Sequence, residues 1–334
     1  MSDMPPWHPS QPDHELAADV RAWLGTPAAF ALFGRLALDQ VAYREVAAAV
    51  DASGRFAQNF TDRGIRSGLW GPLLLFGDDA DRRATAQRLK DLHAQVRGRG
   101  KGHFEGERYS AMNPALWKWV GTTSLLVFHT GYVTTYRKQL TADQHEVVYR
   151  TILHVTDLDL PSEQARIPAT AAEAAAYYDE VAATVLEDNE FLQWANATFD
   201  RLPVPTLVGP RWLRTAIAPW WRILTPVLGR PAKVCAEGAA HPRMRELLGV
   251  RWTRRRQREF QLYLLLLRGA RRWLPRWLLL DPLALNRLRY ERLRARYEKP
   301  QLTSFAPPEA AEPLGPLGAV SPAGPPGPGA GTGR

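Results

Sequence analysis

Cysteine is all but absent from this 334-residue sequence: Cys235 is the only one, so no internal disulfide can form. That usage fits a reducing cytoplasm. Long hydrophobic runs are missing too. The best candidate, Trp119 to Val133, falls short of the roughly 20 apolar residues that a spanning helix needs, and it carries His129. No spanning helix is therefore expected. The first twenty residues lack a basic start followed by an apolar run, so no secretion signal is expected either. There are no long alternating runs bounded by hairpin turns, which argues against a β-fold. There is no Glu-x-x-His pair of the kind that holds two irons in a helical bundle, and no cluster of Cys and His for zinc. P-loop and dinucleotide fingerprints are absent, as is any internal repeat.

What is present reads as helix. Hydrophobic residues make up 45% and charged residues 23% of the chain, enough apolar material for a sizeable core. Thr26-Pro27, Asn113-Pro114 and Asp281-Pro282 each place a capping residue before a proline at the first helical position. Thr141 with Gln144, and Thr170 with Glu173, have capping-box spacing. The expectation is one all-α, multi-helix domain of about ten helices over residues 13–299. A flexible N-terminus covers residues 1–12. Residues 300–334 form a Pro/Gly-rich tail with no apolar period, expected to be disordered.

The net charge of +9 is placed unevenly. From Arg251 to Lys299 there are 15 Arg and Lys against Glu259, Asp281, Glu291 and Glu298, so this block is +11 and the rest of the chain sums to −2. Its arginines are interleaved with Trp, Leu and Phe. That composition suits either a helix lying on an anionic membrane surface or a solvated face whose leucines pack on the core. No motif accompanies the charge that would point to nucleic acid, and none is expected as a partner.

The candidate for chemistry lies in two consecutive helical stretches. Arg63, Arg66 and Ser67 stand at i, i+3 and i+4, on one face, beside a strip of Gly64, Gly68 and Gly71. Pro72 is expected to kink that helix. In the next stretch Leu89, Leu92 and Val96 recur at helical spacing and should face a core, with Lys90, His93 and Arg97 at i, i+3 and i+7. One imidazole, several cations and bare apolar walls are what haem b needs: an axial nitrogen, partners for two propionates and a slot for the macrocycle. The plainer reading is a helix histidine bonded to a neighbour among solvated arginines. His129, inside an apolar helix, is the rival ligand; His103 is a further candidate, and His145 and His154 lie nine residues apart, not on one clear face.

Short pieces in a set order add a resemblance. Arg63, Arg66 and Ser67 precede Phe76-Gly77; then come Leu92-His93-Ala94 and Val96-Arg97. Gly106, Tyr109, Ala111 and Asn113-Pro114 follow, leading into Trp119-Val120. In order and spacing this resembles the MpaB/rubber oxygenase family, which includes the latex clearing proteins. The likeness is strongest from Gly54 to Leu158 and weaker to Lys299. It implies an all-helical fold with a globin-like core that holds haem b and uses O2 on a hydrophobic, alkene- or isoprenoid-like substrate.

The resemblance also implies roles. His93 matches the proximal haem ligand, Arg97 an arginine near the haem edge and Arg63 an arginine of the haem pocket; Lys90 lies on the same side. Arg66 stands where rubber-cleaving members have a lysine that caps the distal side, and Ser67 where the family has threonine. The hydroxyl survives that change. A guanidinium stays protonated and is a poor metal ligand, so donating a hydrogen bond toward dioxygen is the alternative role for Arg66. Gly121 falls where many members carry His or Ala. The glutamate proposed as a base in rubber-cleaving members has no match; Glu45 is the nearest acid, at the wrong spacing. A binding-only protein that uses the basic helices at a membrane surface is the other class of function open at this point.

Overall fold

The computed structural model describes residues 13–30, 32–54, 60–136, 138–156 and 162–301. The expected N-terminal extension and the tail beyond Gln301 lie outside the described residues. In chain order the helices begin with α1 (His14–Leu24), α2 (Phe33–Val41), α3 (Arg44–Ser53), α4 (Phe60–Phe76) and α5 (Asp79–Ala94). A two-stranded ribbon, β1 (Arg97–Arg99) and β2 (Arg108–Ser110), interrupts them. Then come α6 (Pro114–Thr135), α7 (Ala142–Thr156), α8 (Ala171–Thr184), α9 (Glu190–Thr198) and α10 (Arg211–Ala239). The last are α11 (Pro242–Leu247), α12 (Arg254–Trp273), α13 (Arg276–Leu279) and α14 (Pro282–Glu298). The protein is all-α. The chain divides into two units at Tyr290/Glu291; in the second, Arg294 and Glu298 pair at 2.6 Å.

The local signals that worked are the caps. Asn113 accepts from the Ala115 amide at 3.1 Å with Pro114 at the first turn of α6. Asp281 accepts from the Leu283 amide at 2.9 Å and opens α14. Both capping boxes form: Thr141 with Gln144, and Thr170 with Glu173. The Thr26-Pro27 expectation needs correction. The Thr26 hydroxyl donates back to the Trp23 carbonyl at 2.7 Å, closing α1 instead of opening a long helix. Pro27–Phe30 make one 3-10 turn, and α2 and α3 follow as separate short helices. Breaks of this kind, with the short α9, α11 and α13, raise the helix count above ten.

Helix α6 is apolar on every side and is buried accordingly. Trp119, Leu125, Val127 and Tyr132 are all but inaccessible. Two of its buried threonines satisfy themselves locally, Thr123 donating to the Trp119 carbonyl at 2.8 Å and Thr135 to the Gly131 carbonyl at 2.7 Å, whereas the buried Thr122 hydroxyl has no partner among the described residues. Gly131 is required by close approach, since a Cβ there would lie 2.9 Å from the Trp23 ring. Helices α2, α7, α8 and α12 pack around α6. One buried ion pair sits in this shell: Arg35 donates to Asp39 at 3.1 Å and to the Thr130 hydroxyl at 3.2 Å, under the Tyr178 ring.

Candidate functional site

Helix α4 is fixed at its start by a carboxylate. Buried Asp62 accepts from the Thr206 amide at 2.6 Å and from the Thr206 hydroxyl, tying α4 to the 3-10 turn Thr206–Val208. Arg63, Arg66 and Ser67 follow on one face, as their spacing implies; the arginines are exposed and Ser67 is half-buried. Gly64 of the glycine strip opens outward: a Cβ there would meet no atom within 4 Å. Next to it Ile65, Leu69 and Leu73 are exposed, with Leu69 at 61%. Pro72 lies inside α4 without ending it.

Helix α5 starts at Asp78, whose side chain accepts from the Asp81 amide at 2.8 Å, and packs along α4. Here the expectation of a core-facing stripe is corrected. Among the described residues α5 has no buried side chain; Leu89 is half-buried, and Leu92 and Val96 are 45% and 37% exposed. Two leucines on a helix otherwise rich in Asp, Arg and Lys make too narrow a stripe to bury. Val96 and Arg97 also stand beyond the helix. It ends at Ala94, and Arg97 opens β1, paired antiparallel with Ser110 of β2. Arg97 is therefore not one helical turn below His93, and the i, i+3, i+7 face with Lys90 holds only for Lys90 and His93.

His93 sits in the fold with a defined polarity. Its Nδ1 lies 2.7 Å from the Leu89 carbonyl, a contact that requires Nδ1–H to donate. Nε2 is then the nitrogen that carries the lone pair. The ring packs edge-on to Trp117 of α6, with centroids 5.5 Å apart. Burial lowers its pKa below the ordinary 6.5; the hydrogen bond to the Leu89 carbonyl opposes the shift, and the Arg63 charge adds to it. A neutral imidazole with one nitrogen tied back and the other open is the form that ligates a metal. Arg63 is thus brought near His93 across the α4–α5 pair. Trp117 is the neighbour that sequence spacing could not supply, because it comes from a third helix.

The rival histidine is otherwise engaged. His129 Nε2 is 3.3 Å from His145 Nδ1, and burial chiefly, with His145 second, lowers the His129 pKa to about 4. His103 pairs with Glu190 at 2.6 Å on the surface. Glu45 is raised in pKa, mainly by burial. Among the described residues no cluster of three or more His, Cys, Asp or Glu side chains could hold a metal ion. Haem iron needs a single protein ligand, not such a cluster. The donor set fits haem b: one neutral imidazole, cations on both helices and an open apolar strip along α4.

A family model described as the catalytic domain of ER-bound oxygenase mpaB/B'/rubber oxygenase matches residues 20–274. No curated protein and no solved structure matches the chain.

Proposed function

The chain belongs to the mpaB/rubber oxygenase catalytic-domain family, and on that premise we propose a haem b-dependent oxygenase that acts with O2 on a hydrophobic, alkene- or isoprenoid-like substrate. The observation that carries the reading is the His93 imidazole, whose Nδ1 is held by the Leu89 carbonyl. His93 would hold the iron through Nε2. Arg63 and Lys90, with Arg97 from the ribbon, would hold the propionates. When bound, haem supplies the dioxygen activation that amino-acid side chains cannot.

The chain's own contribution is positional. The Leu89 carbonyl fixes the tautomer of His93, and burial holds its pKa below the ordinary histidine value. Arg66 can donate up to five N–H groups and Ser67 one O–H toward an oxygen atom on the α4 face. The exposed apolar strip of Ile65, Leu69 and Leu73 offers a hydrocarbon substrate an apolar surface to bury. A purely surface-binding role would leave the catalytic-domain match unused and is the weaker reading. The test is oxygen uptake by haem-loaded protein given a polyisoprenoid. The expected result is uptake that depends on the alkene and gives carbonyl products; uptake that is the same with a saturated chain contradicts the proposal.

A further inference from the structure

Helix α12 uses its arginines in two different ways. On the inner side, beside buried Phe260 and Leu264, they anchor the helix to the body. Arg256 pairs with Glu237, Arg271 with Asp19, and Arg268 donates to the Thr134 carbonyl at 2.9 and 2.6 Å. The outer side has no such employment. Leu262, Leu265 and Leu266, at i, i+3 and i+4, form one stripe and are 52%, 62% and 60% exposed. Trp273, the last residue of α12, and Trp277 of α13 are 80% and 63% exposed. Exposed Arg254, Arg255 and Arg258 lie at one end of this face, and Arg272 and Arg276 at the other. The one acid in the sequence from Arg254 to Leu280 is Glu259. It is bound by Arg230 at 2.5 and 2.7 Å and does not neutralise the outer face.

We propose that this face docks on an anionic lipid surface, with α12 lying in the plane of the headgroups. Leucines and tryptophans on one side with arginines at both ends match the interface, where indole rings and aliphatic chains enter the acyl boundary and guanidinium groups fork onto phosphates. The chemistry excludes the rival occupants. Two copies brought together through this face would oppose arginine to arginine. A nucleic acid would engage the arginines and leave the Leu stripe and both tryptophans in water. Docking is in-plane, because no described helix is long and apolar enough to cross a membrane. The leucines of this helix are divided between the two faces: Leu264 packs inward, while Leu262, Leu265 and Leu266 do not. The inference is independent of the haem reading, since nothing on this face belongs to α4 or α5.

The test uses full-length protein with vesicles of phosphatidylcholine alone or mixed with phosphatidylserine, read by co-sedimentation and tryptophan emission. The expected result is binding to the mixed vesicles only, with blue-shifted emission, weakened by salt. Removing Arg254 and Arg258 together (Arg254→Gln, Arg258→Gln) should lower the partition coefficient about thirtyfold. Leu265→Glu should abolish the blue shift on vesicle addition. Both sites are exposed, so the circular dichroism should stay that of the parent. Equal partition into both vesicle types, no partition at all, or variants that bind like the parent would overturn the proposal. So would a dimer that Leu265→Glu dissociates while vesicles are ignored, or an oligonucleotide that binds this face in preference to the vesicles.

Discussion

His93 Nδ1 and the Leu89 carbonyl oxygen lie 2.7 Å apart, one helical turn from each other on α5. The backbone thus selects the tautomer of the imidazole proposed as the ligand, and burial holds the pKa of that ring below the ordinary histidine value. The function proposed here rests on this local relation.

Gly64 separates a structural glycine from a cofactor-facing one. Its Cβ direction is open, so Gly64→Leu should leave the fold intact and even favour the helix by about 1 kcal/mol. If the strip faces the porphyrin, the same change should cut haem stoichiometry sharply. Thermal unfolding and haem titration on one preparation measure both effects; full haem loading by Gly64→Leu would place the porphyrin elsewhere.

Asp62 holds the start of α4 through Thr206 and precedes Arg63 in sequence. Asp62→Ala should cost about 1–3 kcal/mol, because the Thr206 amide loses a charged acceptor. It should also weaken haem binding by misplacing Arg63. Urea unfolding together with haem affinity reads this, and a loss of stability with unchanged affinity would make Asp62 structural only.

The buried pair of Arg35 and Asp39 belongs to the core and not to the site. Burial raises the pKa of Asp39 despite the neighbouring guanidinium. Arg35→Met should destabilise the protein by about 3–5 kcal/mol by leaving that carboxylate alone, and adding Asp39→Leu should recover much of the loss. Urea midpoints of the single and double variants test it.

Acid should loosen the α6–α7 contact. His129 titrates at about 4 in the folded protein and near 6.5 when unfolded. Between those values the unfolded chain binds the extra proton, so stability present above pH 6.5 falls as pH drops and levels off below about 4. The total is about 1–3 kcal/mol once partial solvent screening is allowed for. His129→Phe should flatten this part of the profile of melting temperature against pH, and an unchanged slope would assign it to other groups.

The fold was legible where the physics is local. A cap is a bond between residues two or three apart, so Asn113, Thr141, Thr170 and Asp281 announce their helices in the sequence. The ends were harder to read. No glycine follows Ala94 to stop α5, and the strand that takes Arg97 exists because Gly98 and Arg99 find Tyr109 and Arg108 across a ribbon. That pairing depends on Gly100, where a Cβ would lie 2.1 Å from the Phe104 carbonyl. At the site, the face of Arg63, Arg66 and Ser67 and the pairing of Lys90 with His93 followed from helical spacing. Trp117 against His93, and Thr206 against Asp62, are contacts between distant segments and left no periodic trace.

The central claim is most directly tested by hemin titration of the parent protein and of His93→Ala, followed in the Soret region. His93 is only half-buried, so the variant should fold. The account predicts one tightly bound haem per parent chain, with the shifted Soret band of a histidine complex, and none retained by His93→Ala. A variant that keeps the parent's spectrum and stoichiometry would contradict it.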